Sequence, residues 1–247
     1  MGPDKKPKRF FYWTAKIHIC IVILQSKDNF FMKKPVFNPF AERKIKNIIF
    51  DLGGVILNID YHLTINAFKA LGLENFDTLF NQAKQVGVFD LLDKGLITPQ
   101  GFRDEIRRIT LSNLTDEQIN SAWNAMLLDF PPLRLELLRK VKSSYKTFLL
   151  SNTNAIHLEE YNQILHKTFG VDNLSVFFNR EYYSHLIHMR KPDAEVFELI
   201  LNENNLKPEE TLFIDDSEQH VEGAKKLGIL AHHLNIPNGE RIELLFS

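Results

Sequence analysis

"IIFDLGGVILNID", residues 48–60, is the stretch whose reading decides the fold. Its first residues are continuously apolar, as in a strand covered on both faces of a sheet. The run ends on a single carboxylate, Asp51, and Gly53 and Gly54 follow at once. Two glycines allow a tight turn and let backbone N–H groups come close to a bound anion. In open α/β sheets, ligands sit in the crevice beyond the carboxyl ends of the strands. A lone acid at that place is therefore read as a site residue.

Outward from this strand, no comparable apolar run returns before residue 146. Residues 61–129 read instead as several helices. "TPQGFRDEIRRI" opens with Thr98 as N-cap and Pro99 in the first turn, and Thr115 to Gln118 fits a capping box ahead of Ile119, Ala122 and Trp123. After a helix around residues 133–141, strands are predicted at "KTFLL" (146–150), "VFF" (176–178), "TLFI" (211–214) and "ILAHHL" (229–234). Helices alternate with them. One over 193–205 places Val196, Phe197, Ile200 and Leu201 on one face, and another over 218–227 is stopped by Gly228. Strand and helix in alternation imply an α/β fold: a Rossmann-like parallel sheet core with a helical-bundle cap inserted after the first strand. The expected divisions are a leader over 1–43, the core over 44–59 and 130–247, and the cap over 60–129.

Composition narrows the function classes. The 247 residues are 44% hydrophobic and 25% charged, with a formal net charge of −1, so bulk charge predicts no nucleic-acid partner. The single cysteine, Cys20, excludes an internal disulfide and a cysteine-based zinc cluster, and a reducing cytoplasm is the expected location. The leader carries a basic cluster (Lys5, Lys6, Lys8, Arg9) and an apolar run over 17–24 that is too short to span a bilayer. It shares features with a signal peptide, but His18 interrupts the apolar run and no small-residue cleavage site follows. Met32, Lys33 and Lys34 would themselves make a plausible start. No membrane partner is expected, and oligomeric state is not legible.

Three further strand ends or loops carry polar groups: Ser151 and Asn152 in "LLSNT", Lys191 in "RKPD", and Asp215 and Asp216 in "FIDDS". Singly, each has a plain reading as a turn, a cap or a solvated lysine. Together, carboxylates facing each other across strand ends suit Mg²⁺, a hard cation that takes oxygen ligands. A serine and a lysine beside them suit a phosphate. In this order, with a helical insertion after the first, the four motifs resemble the haloacid dehalogenase superfamily, closest to the branch that contains sugar-1-phosphate (glucose-1-phosphate) phosphatases. The resemblance covers the chain from about residue 44 onward. It implies that Asp51 is the nucleophile and a metal ligand, and that Lys191 neutralises charge on nucleophile and phosphate. Ser151, Asn152, Gly53 and Gly54 would bind substrate, and the Gly53 carbonyl, Asp215 and Asp216 would complete a Mg²⁺ site. The implied activity is Mg²⁺-dependent hydrolysis of a small phosphomonoester, such as a sugar 1-phosphate, through an aspartyl-phosphate.

One position departs from the family. Its phosphatases carry a second aspartate two residues after the nucleophile, as acid for the leaving group, and here that residue is Gly53. Loss of such a group typically costs a factor of about 10²–10⁴. Three readings follow: a phosphatase whose leaving group needs little help, as an anomeric oxygen would; a metal-independent 2-haloacid dehalogenase, which also lacks that acid; or a binding or regulatory module. Asp60 and His157 are candidate substitute proton carriers, with plain readings as a helix cap and a helix-start residue. In the cap, Gln85, Asp90, Asp93 and Lys94 would either face the substrate or form a solvated helix face. His185, His188, His232 and His233 make no recognisable metal set.

Overall fold

The computed structural model describes residues 44–76, 78 and 87–246; the leader and Gln85 lie outside them. Five strands form one all-parallel sheet: β1 (Asn47–Phe50), β2 (Lys146–Ser151), β3 (Arg180–Tyr183), β4 (Thr211–Asp215) and β5 (Leu230–His233). The order is β3-β2-β1-β4-β5. Asn47 pairs with Lys146 on one side and Thr211 on the other, so β1 is central and the strand order reverses around it. Asp51, Ser151, Asp215 and Asp216 then come out on one edge, at the place where doubly wound sheets bind ligands.

The period-2 alternation of each strand divides the core into two layers. Ile48, Phe50, Leu149, Leu212 and Ile214 pack with Leu135 and Leu138 of helix α5 (Pro132–Lys142) and Tyr161 and Leu165 of α6 (Ala155–Phe169). Ile49, Phe148, Leu150 and Phe213 face the other way, onto Val196, Phe197 and Ile200 of α8 (Ala194–Glu203) and Ala224 of α9 (Glu218–Lys225). The short α7 (Ser184–Ile187) links β3 to the Lys191 loop, and α10 (Ile242–Leu245) closes the chain over the first layer.

Between β1 and β2 come α1 (Tyr61–Ala70), α2 (Val88–Asp93), α3 (Pro99–Thr110) and α4 (Asp116–Asn124). They close a separate apolar cluster of Phe68, Phe76, Val88, Leu92, Phe102, Ile106, Ile119 and Trp123, joined by Ile156 from α6. The two helix starts legible in the sequence form as expected. Thr98 accepts from the Gly101 N–H at 3.0 Å, and Thr115 and Gln118 make the reciprocal capping box. No helix of the described residues is long and apolar enough to cross a membrane.

One strand is misplaced by the sequence reading. "VFF" is not a strand: Leu174–Phe177 forms a 3₁₀ turn, capped by the Asn173 side chain, with Leu174 and Phe177 inward and Val176 exposed. The strand is the next segment, "REYY", whose Arg180 and Glu181 hide it from a hydrophobicity scan because it lies at the sheet edge.

Candidate active site

Lys191 organises the strand-end crevice. Its side chain is fully buried, and Nζ donates to Asp51 Oδ1 at 2.5 Å and to Asp215 Oδ2 at 2.7 Å, with the Phe213 ring 5.6 Å away. A buried ammonium is tolerated only with such charge-assisted partners. Burial alone would lower the lysine pKa, but the two carboxylates outweigh it and raise it, so the ammonium persists. Its backbone is clamped as well. Asn152 Nδ2 donates to the Lys191 carbonyl at 3.0 Å, and Asn152 Oδ1 accepts from the Lys191 N–H at 2.9 Å. The Asn152 side chain therefore holds the lysine loop, and the residue also lines the chamber above the site.

The three acids divide in role. Asp215 is fully buried; besides Lys191 it accepts from the Ser217 N–H at 2.8 Å and faces His220 Nδ1 at 3.1 Å. Burial works to raise its pKa, yet the Lys191 and His220 contacts hold it well below the usual carboxylate range. Asp51 goes the other way: burial, reinforced by Asp215 and Asp216, pushes it up to about 8 against the pull of Lys191. Burial followed by the neighbouring Asp215 also raises Asp216. One oxygen each of Asp51, Asp215 and Asp216 lies within 4.8 Å of the others. Three carboxylates against one ammonium leave excess negative charge in a low-dielectric crevice, and that arrangement favours a bound cation. Because Asp215 is already occupied by protein donors, Asp51 and Asp216 offer the freer oxygens.

The two glycines do different things. Gly54 has φ +75°, and a Cβ there would lie 2.3 Å from Asp216 Oδ2, so only glycine leaves that carboxylate its place. Its N–H donates to the Leu57 carbonyl at 2.8 Å and is not offered to a phosphate, which corrects the expected substrate role of Gly54. The amides of Leu52 and Gly53 have no hydrogen-bond partner among the described residues. At Gly53 a Cβ would meet Ile59 Cδ1 at 3.0 Å. The space of the absent second acid is thus next to an aliphatic side chain.

A chamber of about 310 Å³ opens above this floor, lined among others by Asp51, Ser151, Lys191, Asp216, Ile59 and Tyr61. Neither candidate substitute acid is placed to work. Asp60 caps α1, accepting from the His62 N–H at 2.9 Å. His157 lines the chamber, but it stacks on Trp123 and lies 3.2 Å from Asn154 Nδ2 and 3.3 Å from the Trp123 carbonyl, and burial pulls its pKa down to about 4. Two residues that sequence reasoning did not select, Tyr61 and His220, line the chamber. The only signal for His220 was its position one helical turn beyond the acidic pair. The four histidines weighed as a metal set go their separate ways: His185 to the Thr153 carbonyl, His188 to the Lys94 carbonyl, His232 to Glu240, and His233 Nε2 to the Asp216 carbonyl at 3.0 Å.

An aspartate at the end of a central parallel strand, with a buried lysine and an acidic pair from the neighbouring strand, defines a hydrolase-type strand-end site. The chain belongs to the haloacid dehalogenase-like hydrolases, whose family model matches residues 45–228. It is 32% identical over 184 residues to the D-ribitol-5-phosphate phosphatase of Bacteroides thetaiotaomicron, covering 74% of this chain and 89% of that one. It is 26% identical over 209 residues to the glyceraldehyde 3-phosphate phosphatase of Pyrococcus furiosus, covering 76% and 79%. Among solved structures, a haloacid dehalogenase family enzyme of Bacteroides thetaiotaomicron in complex with magnesium and inorganic phosphate matches with a TM-score of 0.73 and 38% identity, covering 82% of this chain and all of that one.

Proposed function

We propose that the chain is a Mg²⁺-dependent phosphatase of small sugar or sugar-alcohol phosphates, working through an aspartyl-phosphate on Asp51. The observation that carries this is the buried Lys191 ammonium bridging Asp51 and Asp215, with Asp216 completing an acidic cluster on the chamber floor. Magnesium would be held by Asp51, Asp216 and the Gly53 carbonyl, with Asp215 behind them, and when bound it would neutralise phosphoryl oxygens. Both the two phosphatase relatives and the magnesium- and phosphate-bound structure support the assignment.

Lys191 keeps Asp51 aimed and balances charge on the phosphoryl group, and Ser151 hydrogen-bonds one of its oxygens. Asp51 Oδ attacks phosphorus and the bond to the leaving oxygen breaks. That oxygen takes its proton from water, since Gly53 supplies none. Water then cleaves the acyl-phosphate, releasing inorganic phosphate and restoring the carboxylate. The acidic cluster also argues against the metal-independent dehalogenase reading, in which three converging carboxylates would have no cation to hold.

The test is phosphate release over a panel of sugar, sugar-alcohol and anomeric sugar phosphates, with Mg²⁺ or with EDTA. Release that requires Mg²⁺ is the expected result; halide release from 2-haloacids in EDTA, with no phosphate release, would replace this reading by the dehalogenase one. Gly54→Ala probes the same site independently. Its Cβ must displace Asp216, so Mg²⁺ affinity by calorimetry is expected to fall at least about tenfold, because a well-placed charged ligand is lost. Wild-type affinity in that variant would remove Asp216 from the metal site.

A further inference from the structure

The chamber over Asp51 continues into a second one of about 620 Å³ on the side of α1 and α2, and the two share Tyr61, Met126, Asn152, His157 and His220 in their walls. A substrate whose phosphate sits on Asp51 would extend its remaining carbons there. The chemistry of this wall is uneven. Asp90 is shared by two cations, with Arg190 Nη1 donating to Asp90 Oδ1 at 2.6 Å and Lys94 Nζ 3.2 Å from Asp90 Oδ2. Asp93 has no such partner. It accepts from Asn154 Nδ2 at 3.2 Å, and no cation pairs with it among the described residues.

Trp123, in the same wall, stands between two rings, Phe89 at 5.1 Å and His157 at 5.1 Å, both nearly parallel to it. Its indole N–H is buried with no acceptor among the described residues. A carboxylate with no direct ion pair and the rings around it match a chain of hydroxyls, which donate to the one while their carbons pack on the others. They do not match an anionic group, which would be placed near an unpaired carboxylate.

Resting on the phosphatase reading above, we propose that Asp93 is a specificity-determining residue. It binds hydroxyls of an uncharged polyol or sugar chain and turns away phosphomonoesters that carry a carboxylate at the far end. Asp90, held by Arg190 and Lys94, serves as an ion-paired clasp between α2 and the Lys191 loop.

The test uses a matched pair, ribitol 5-phosphate and 5-phosphoribonate, which differ by a terminal alcohol against a carboxylate, with para-nitrophenyl phosphate as a reference that has no hydroxyl chain. Wild type is expected to prefer ribitol 5-phosphate over 5-phosphoribonate in kcat/KM by about tenfold or more, as a hydrogen bond to a charged acceptor allows. Asp93→Asn, which keeps an oxygen for Asn154, is expected to remove most of that preference, chiefly through KM. Asp93→Ser serves as a second variant and should act in the same direction. A preference absent from wild type, or undiminished in both variants, overturns the proposal. Failure of the phosphatase reading is separately visible as no Mg²⁺-dependent release from para-nitrophenyl phosphate. In that event the pair is compared by calorimetry with Mg²⁺ in the Asp51→Asn background: tighter binding of the polyol phosphate that depends on Asp93 supports the inference, and equal affinities overturn it.

Discussion

Asp51→Asn is expected to release no phosphate above background, a loss of roughly 10⁴-fold or more, as for other nucleophile deletions. The amide has nearly the shape of the carboxylate and keeps an oxygen for Lys191 Nζ, now 2.5 Å from Asp51 Oδ1, so the loss reports chemistry and not collapse. The same substitution has an opposite effect on stability. Burial raises Asp51 from 3.8 to about 8 in the folded chain when only protein groups surround it. Below about pH 4 the acid is protonated in both folded and unfolded chains and contributes no difference. Between about pH 4 and 8 the unfolded chain is ionised while the folded one holds the proton, so folding becomes less favourable as pH rises. Asp51→Asn removes that penalty. In EDTA its Tm should therefore exceed that of wild type by a margin that grows from pH 5 to pH 8, while at pH 4 the two should coincide. A variant less stable than wild type at pH 8 in EDTA would show that Asp51 is not held under this strain.

Lys191→Met carries the largest expected stability cost. Among the described residues the ammonium is the one cation bonded to both Asp51 and Asp215, and the latter is completely buried. Methionine fills similar volume but leaves the buried Asp215 carboxylate without its ammonium, beside an acid that burial holds protonated. Breaking a buried pair in this way costs about 3–5 kcal/mol. Urea unfolding in EDTA should show that loss, and added Mg²⁺ should recover part of it, because the cation replaces some of the missing positive charge. Equal stability of variant and wild type in EDTA would mean that the acids are neutralised by protons alone. Turnover should be lost in either condition, since methionine cannot balance charge on the phosphoryl group.

Much of this was legible in the chain itself. The apolar run before Asp51 and the alternation of strands and helices after residue 146 identify the parallel sheet, because strands buried on both faces must be apolar throughout. Edge strand β3 escaped, because an edge strand can carry Arg180 and Glu181 and still pair. Asp51, Asp215 and Asp216 are legible from their strand-end positions and Lys191 from the loop before a helix, and they converge on one floor. The roles of Asn152 and Gly54 were not legible, since a side chain that clamps a backbone and a glycine that clears space for an acid look, in sequence, like ligand-binding residues. Tyr61 and His220 were missed for the reason that helix residues reveal the cavity they face only once the helices are docked. The sequence likewise gives no hint that His157 is enclosed between Asn154 and the Trp123 carbonyl, which comes from a segment far away in the chain.

Gly53 and Ile59 bear on how this chain can change over evolutionary time. With Ile59 Cδ1 3.0 Å from where a Cβ at residue 53 would stand, an aspartate placed there meets the end of an aliphatic side chain that must give slightly. The two positions are therefore linked. An acid at 53 asks only that the Ile59 terminus shift by about a few tenths of an ångström, whereas a smaller side chain at 59 with Gly53 kept leaves an unfilled gap. Faster turnover is therefore open to this chain by two routes, an acid at 53 beside a slightly shifted Ile59 or a better leaving group selected through residues such as Asp93.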